Sequence, residues 1–124
     1  MQTFHRFSRA SSGSDTITTI FLPESGIKFI YASAHRDQVG ATILEVHGKK
    51  IFAVIEDIGT VQNMFPSFLS VRRFDLGNRV GFHDVDVFIN PNLITHVILN
   101  MHGPEITFQD GDRLTIRDNV HFPR

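Results

Sequence analysis

Residues Thr42–Ile55 read TILEVHGKKIFAVI and carry the clearest β-hairpin pattern in the chain. Two runs of β-branched and other apolar residues, the types that favour strands, flank His47-Gly48-Lys49. Glycine adopts without strain the positive φ angle that a tight hairpin turn requires. The stretch therefore predicts two antiparallel strands joined at Gly48.

Short apolar runs separated by turn residues continue on both sides of this hairpin, a pattern typical of a strand meander. The further predicted strands are Gln2–Arg9, Thr16–Leu22, Ile27–Ala32, Val80–Ile89 and Leu93–Asn100, with a last hairpin of Pro104–Gln109 and Leu114–Arg117 around Asp110-Gly111-Asp112. Asp57–Met64 is predicted as a short helix that Asp57 caps and Pro66 ends, whereas residues 67–74 fit a helix or a strand. The expected fold class is mainly β, or β-rich α+β: an antiparallel meander of about seven or eight strands.

Length and composition predict a single domain, because 124 residues with 41% hydrophobic content support one core. The absence of cysteine excludes disulfides, thiolate metal sites and cysteine nucleophiles. No apolar run approaches the roughly 20 residues that cross a bilayer, and the first residues lack the apolar segment of a signal peptide. We therefore expect a cytoplasmic protein without a membrane partner.

Charge and aromatic content bear on the partners. The formal net charge of −1 makes nucleic acid a less favoured partner, because proteins that hold its backbone usually present a basic face. Twelve Phe stand against one Tyr and no Trp. Phe has no polar tip to keep in water, so we expect many of these rings in the core and some at an interface between subunits.

Two stretches of the chain match at an offset of 63 residues, Ile43–Ile55 (ILEVHGKKIFAVI) and Ile106–Asp118 (ITFQDGDRLTIRD), so that Gly48 falls on Gly111. Upstream of them, Phe21–Ala32 is similar to Phe88–Leu99. The match predicts an internal repeat over residues 16–65 and 80–119, with two tandem four-stranded units and a short helix between them. The alternative is that two hairpins share a pattern because all hairpins use similar turn residues.

The stretch FINPNLITHV, followed by EITFQDGDRLTIRD, resembles the small flagellar FlbD/SwrD-type proteins, and ATILEVHGKKIFAVIEDIGTVQNM is similar to the hairpin, last strand and short helix of that family. The end of LytTR DNA-binding domains has a similar pattern. The resemblance covers about half of the chain in two pieces, whereas the family consists of one short unit. It implies a β-rich regulatory or scaffold-like protein without enzymatic activity.

The residues alone give little support for catalysis, a metal or a cofactor. Asp84 and Asp86 share one face of their predicted strand, but His83 lies on the other face and cannot easily join them in a metal site. Neither an H-E-x-x-H motif nor a G-x-S-x-G motif is present. We expect no catalytic residues, no metal ligands and no cofactor.

Five residues are candidates for binding a small ligand. Arg72 and Arg73 are adjacent and lie near aromatic residues, and arginine beside aromatic rings can hold a nucleotide or an acidic partner. Phe82, with His83 beside it, and Asn92 could supply a stacking ring and an amide for a nucleobase. The alternatives are ordinary ones: solvated or ion-paired arginines, a core Phe and a turn-forming Asn.

Three functions therefore stand as expectations. The first is a non-enzymatic binding or regulatory protein that acts through a β-sheet surface as a homo-oligomer. The second is a protein that sequesters a small nucleotide-like anion at a subunit interface through Arg72 or Arg73. The third is a LytTR-like DNA-binding regulator, for which a basic face would draw on Arg6, Arg9, Lys49, Lys50, Arg72 and Arg73.

Overall fold

The computed structural model of the chain describes residues 3–9, 18–32, 42–73, 85–101 and 103–116. Within these ranges it contains ten strands, one α-helix and two single-turn 3-10 helices. The strands are β1 (Phe4–Arg9), β2 (Thr18–Pro23), β3 (Ile27–Ala32), β4 (Thr42–Val46), β5 (Lys50–Val54), β6 (Leu69–Arg73), β7 (Val85–Ile89), β8 (Ile94–Asn100), β9 (Gly103–Phe108) and β10 (Arg113–Thr115). The helix α1 covers Ile58–Met64, and the 3-10 turns cover Glu24–Gly26 and Pro91–Leu93.

The mainly β, antiparallel fold predicted from the sequence is confirmed, with more strands than the seven or eight expected. The Gly48 hairpin forms as predicted, with positive φ at both Gly48 (88°) and Lys49 (63°). The helix also forms, and the Asp57 carboxylate caps it by accepting the Thr60 N–H at 2.7 Å. The ambiguous residues 67–74 contain the strand β6. The predicted strand starts before Thr18 and Val85 lie outside the described residues.

The described strands all pair antiparallel, and they form two sheets. The large sheet has seven strands in the order β2-β1-β5-β4-β3-β7-β6, and the small sheet has three in the order β10-β9-β8. The strands β6 and β7 belong to the large sheet, although they follow α1 in the chain. The pairing of β3 with β7 therefore connects the two halves of the sequence.

The same order of elements occurs twice along the chain: two paired strands, a 3-10 turn and a three-strand meander. We call β1–β5 the first unit and β6–β10 the second unit. In both, the N–H of the residue after the 3-10 turn donates to the first carbonyl of that turn, from Ile27 to Glu24 and from Ile94 to Pro91. Each third strand then shifts register within its first three residues, β3 after Ile27 and β8 after Ile94. Among the described residues, each unit thus contains five strands in the same order, where the sequence predicted four.

In the structure, the β4–β5 and β9–β10 hairpins match at an offset of 62 residues, one less than the offset of 63 predicted from the sequence. Ile27 lies opposite Val46, and Ile94 lies opposite Phe108, so Leu44 corresponds to Ile106, and both are buried. Gly48 is the second residue of its three-residue loop, whereas Gly111 is the third. The two glycines therefore serve different turn positions and do not correspond. The sequence duplication itself stays a prediction.

Two hydrophobic cores stabilise the fold. The first lies between the first unit and α1 and contains Phe7, Leu22, Ile27, Ile30, Leu44, Val54, Val61, Phe65 and Phe68. The second lies between β3, β6 and β7 and the small sheet and contains Phe29, Val71, Val87, Ile89, Leu93, Ile106, Phe108, Leu114 and Ile116. No helix in the described ranges is long and apolar enough to cross a membrane.

Candidate protein-interaction edge

The start of β8 is held against the first unit by Asn90, which is only 2% exposed. Its side-chain Nδ2 donates to the carbonyls of Ile27 (3.0 Å) and Glu24 (3.1 Å), and its Oδ1 accepts the Asn92 N–H (3.1 Å). Asn90 therefore joins the two matched 3-10 turns and satisfies polar groups that burial would otherwise leave unpaired. These hydrogen bonds fix the position of the 3-10 turn from which β8 begins.

The small sheet is fixed a second time by the buried ammonium of Lys28. Its Nζ lies 2.8 Å from Asp110 Oδ2 and 2.7 Å from Asp112 Oδ2, and Phe108 contributes its ring face at 5.7 Å. The same Asp110 oxygen accepts the N–H groups of Gly48 (2.9 Å) and Lys49 (3.1 Å). One carboxylate thus joins the β9–β10 turn to both β3 and the β4–β5 turn.

The electrostatics of this cluster follow from its geometry. Burial alone disfavours the charged forms, which lowers the pKa of Lys28 and raises that of Asp110. The hydrogen bonds and opposite charges outweigh burial, so that the pKa of Lys28 is raised and the pKa of Asp110 lies well below its ordinary range. Lys28 reaches the small sheet because of the register shift after Ile27, which turns Lys28 and Phe29 away from the first core.

β8 is the strand that this scaffold presents to its surroundings. It pairs with β9 on one side, and no strand in the described part of the chain pairs with its other side. An edge strand offers a row of unpaired backbone N–H and C=O groups to another strand. Its sequence, ITHVILN, contains no Pro and no Asp, Glu, Lys or Arg, the residues that natural edges use to prevent pairing.

The side chains at the far end of β8 are apolar and exposed. Ile94 and Val97 pack against the second core, and Leu99 follows on the same face as Val97 but reaches past the core, where it is 77% exposed. Ile98 lies on the opposite face and is 49% exposed, and Met101, in the turn after β8, is 90% exposed. Apolar groups and open backbone groups therefore occur together on one strand.

The other free edges offer less to a partner strand. β2 ends in Pro23, which has no N–H to donate, β10 is three residues long, and β6 carries Arg72 and Arg73. Phe4 (57% exposed) and Phe21 (61% exposed) face outward across β1 and β2, close to Arg6. Of the four edge strands that the described ranges contain, β8 is the longest and lacks both charge and proline.

The residues predicted to bind a ligand are not brought together where the structure describes them. Arg72 and Arg73 pair with Asp86 and Val85 at the start of β7, whereas Asn92 lies in the 3-10 turn after the end of β7. Three residues of β7 beyond Asp86 span about 10 Å, so Asn92 and the arginines occupy opposite ends of the strand. Phe82 and His83 lie outside the described residues.

A shallow cleft lies between α1 and the pair β3–β7, with a volume of about 330 Å³. Its lining consists of Ala32, Ile58, Gln62, Asp86 and Phe88. The nucleotide-like anion expected from the sequence stays a prediction. The sequence prediction did not single out β8 as the candidate edge, although the uncharged run ITHVILN is visible in the sequence.

Comparison with known proteins adds no identification. No family model, no curated protein and no solved structure matches the chain. The resemblance to FlbD/SwrD-type proteins and to the end of LytTR domains stays a prediction.

Proposed function

We propose that the protein is a non-enzymatic binding protein that associates with a second copy of itself by strand addition at the free edge of β8. The observation that carries this proposal is the uncharged edge of β8, which pairs with none of the described strands on its free side and exposes Ile98 and Leu99 on its two faces. In strand addition, backbone hydrogen bonds supply affinity and alternate side chains supply specificity. A regulatory role would follow from control of this association.

The first unit supports a strand as the occupant. Its third strand, β3, corresponds to β8, and both of its edges are paired, one with β4 and the other with β7. The edge that β7 covers on β3 corresponds to the edge of β8 that is unpaired in the part of the chain the structure describes. The chain thus contains an example of the interaction that we propose for the second unit.

Self-association is favoured over a foreign segment for two reasons. The β8 edge carries no charge that would select an oppositely charged partner. Two copies of an uncharged apolar edge are complementary to each other, as a two-fold dimer requires. A homodimer is therefore the occupant to which the proposal commits.

Sedimentation equilibrium over a range of protein concentrations tests the proposal. We expect a reversible monomer–dimer equilibrium, because pairing through one strand gives a small interface. A pure monomer at every concentration would remove the proposal. A dimer that persists unchanged when Ile98 and Leu99 are both replaced by Lys would also remove it, because that dimer would use another surface.

A further inference from the structure

We infer that the two β8 strands pair antiparallel around a two-fold axis at Ile98, which joins two three-stranded sheets into one sheet of six strands. This inference rests on the proposed self-association and adds its register. In a two-fold antiparallel pair, directly opposed side chains lie on the same face of the sheet. At the axis, a residue must therefore lie opposite the same residue of the second copy. Each face of one sheet then continues into the same face of the other.

The length of regular strand selects the residue on the axis. The register shift disturbs β8 before His96, and a turn follows Asn100, so five residues, His96–Asn100, form a regular edge. An axis at Ile98, the middle residue, pairs all five with five of the second copy. An axis at Val97 would place Thr95, beside the register shift, opposite Leu99. An axis at Leu99 would place Val97 opposite Met101, which lies in the turn.

The side chains agree with this register. Leu99 of each copy lies opposite Val97 of the other, on the face where Val97 already contacts the second core. Leu99, 77% exposed, thereby gains an apolar neighbour. On the other face the two Ile98 side chains, each 49% exposed, meet at the axis. Directly opposed Cβ atoms lie about 5 Å apart, so both contacts are direct.

The pairing of β7 with the third strand of the first unit, β3, supports the same positions. β7 pairs with Phe29, Ile30 and Tyr31 of β3. When the two register shifts are aligned, these residues correspond to His96, Val97 and Ile98 of β8. The matched part of β3 thus already accepts an antiparallel strand, and the inferred dimer uses the same part of β8.

Single-cysteine variants test the register, and the natural chain contains no cysteine to interfere. Under mild oxidation, Ile98→Cys should give a covalent dimer, because its two thiols lie within disulfide range at the axis. Val97→Cys and Leu99→Cys should each remain uncrosslinked alone but form a mixed dimer when combined. Thr95→Cys, on the same strand and exposed, is the matched control that should stay monomeric in denaturing gels.

The outcomes separate the two proposals. If the unmodified protein dimerises and Leu99→Cys or Val97→Cys alone crosslinks in place of Ile98→Cys, the register is wrong, and self-association through β8 stands. If the protein dimerises and none of the β8 cysteines crosslinks alone or in mixtures, both proposals fail. If the protein is monomeric at every concentration, strand addition between copies fails, and the register fails with it. Circular dichroism of each reduced variant verifies that it is folded.

Discussion

The third strands of the two units, β3 and β8, follow the same 3-10 turn and the same register shift but lie in opposite surroundings. β3 has paired neighbours on both sides and buries its first four residues. β8 has one paired neighbour and leaves Ile98 and Leu99 exposed. The same local geometry thus serves a central strand in one unit and an edge strand in the other. What separates them is a second neighbouring strand, which β3 has in β7 and which no strand within the described ranges provides for β8.

The largest difference in stability is expected between substitutions of Lys28 and Thr95, the residues that follow Ile27 and Ile94 at the two register shifts. Lys28→Ala leaves the Asp110 carboxylate buried without its cation and should lower the free energy of unfolding by about 3–5 kcal/mol. The corresponding residue of β8, Thr95, is exposed, and Thr95→Ala should change it by less than about 0.5 kcal/mol. Urea unfolding measures both. Equal losses would show that the two positions do not differ as described.

A smaller contrast is expected between two isoleucines on the third strands. Ile30 is fully buried, so Ile30→Ala should cost about 2–4 kcal/mol through lost burial and the cavity left behind. Ile98→Ala should cost less than about 1 kcal/mol, because roughly half of that side chain already contacts water. The comparison is made by urea unfolding at concentrations at which the protein is monomeric. A larger loss for Ile98 would contradict the edge position of β8.

The association itself can be weakened without loss of the fold. Ile98→Lys places two ammonium groups opposite each other at the inferred axis and should weaken dimerisation at least about tenfold, or about 1.4 kcal/mol. Asn63→Lys, exposed on α1, adds the same charge away from β8 and should leave the dimer unchanged. Sedimentation equilibrium of the two variants gives the dissociation constants. Equal weakening would attribute the effect to net charge.

The titration of Asp110 is expected to have the smallest effect on the free energy of unfolding at neutral pH. A carboxyl group whose pKa is lowered by folding stabilises the native state above its unfolded pKa, and this stability is lost as the pH falls. Below about pH 4, the unfolding free energy of the natural protein should therefore fall more steeply than that of Asp110→Asn. Between roughly pH 6 and 8 this group should contribute no slope, because it is ionised in both states. Parallel curves at acid pH would contradict the charged Lys28–Asp110 pair.

Local features of the fold could be predicted from the sequence, and long-range ones could not. The Gly48 hairpin and the Asp57 cap depend on residues within a few positions of each other, and both were predicted correctly. The burial of the Lys28 ammonium depends on its ion pair with Asp110, which lies more than eighty positions away. The sequence around Lys28 does not predict that pair. Edge and central strands also look alike in sequence, because the neighbour that distinguishes β3 from β8 is β7, far along the chain.

The candidate ligand residues show the same limit. Arg72 and Asn92 were chosen by residue type for two separate candidate sites, and the structure places them toward opposite ends of β7. The three-dimensional grouping that the structure does show, around Asn90 and around Lys28, consists of residues that hold the two units together. Sequence composition cannot distinguish polar residues that join parts of a fold from those that bind a ligand.

The carboxylate of Asp110 has a consequence for hydrogen exchange. It accepts the N–H groups of Gly48 and Lys49, which lie in an exposed turn where amides would otherwise exchange freely with solvent. Their protection therefore requires that the last hairpin of the chain be folded and docked. Two amides near the middle of the sequence thus report on the opening of a segment some sixty residues later.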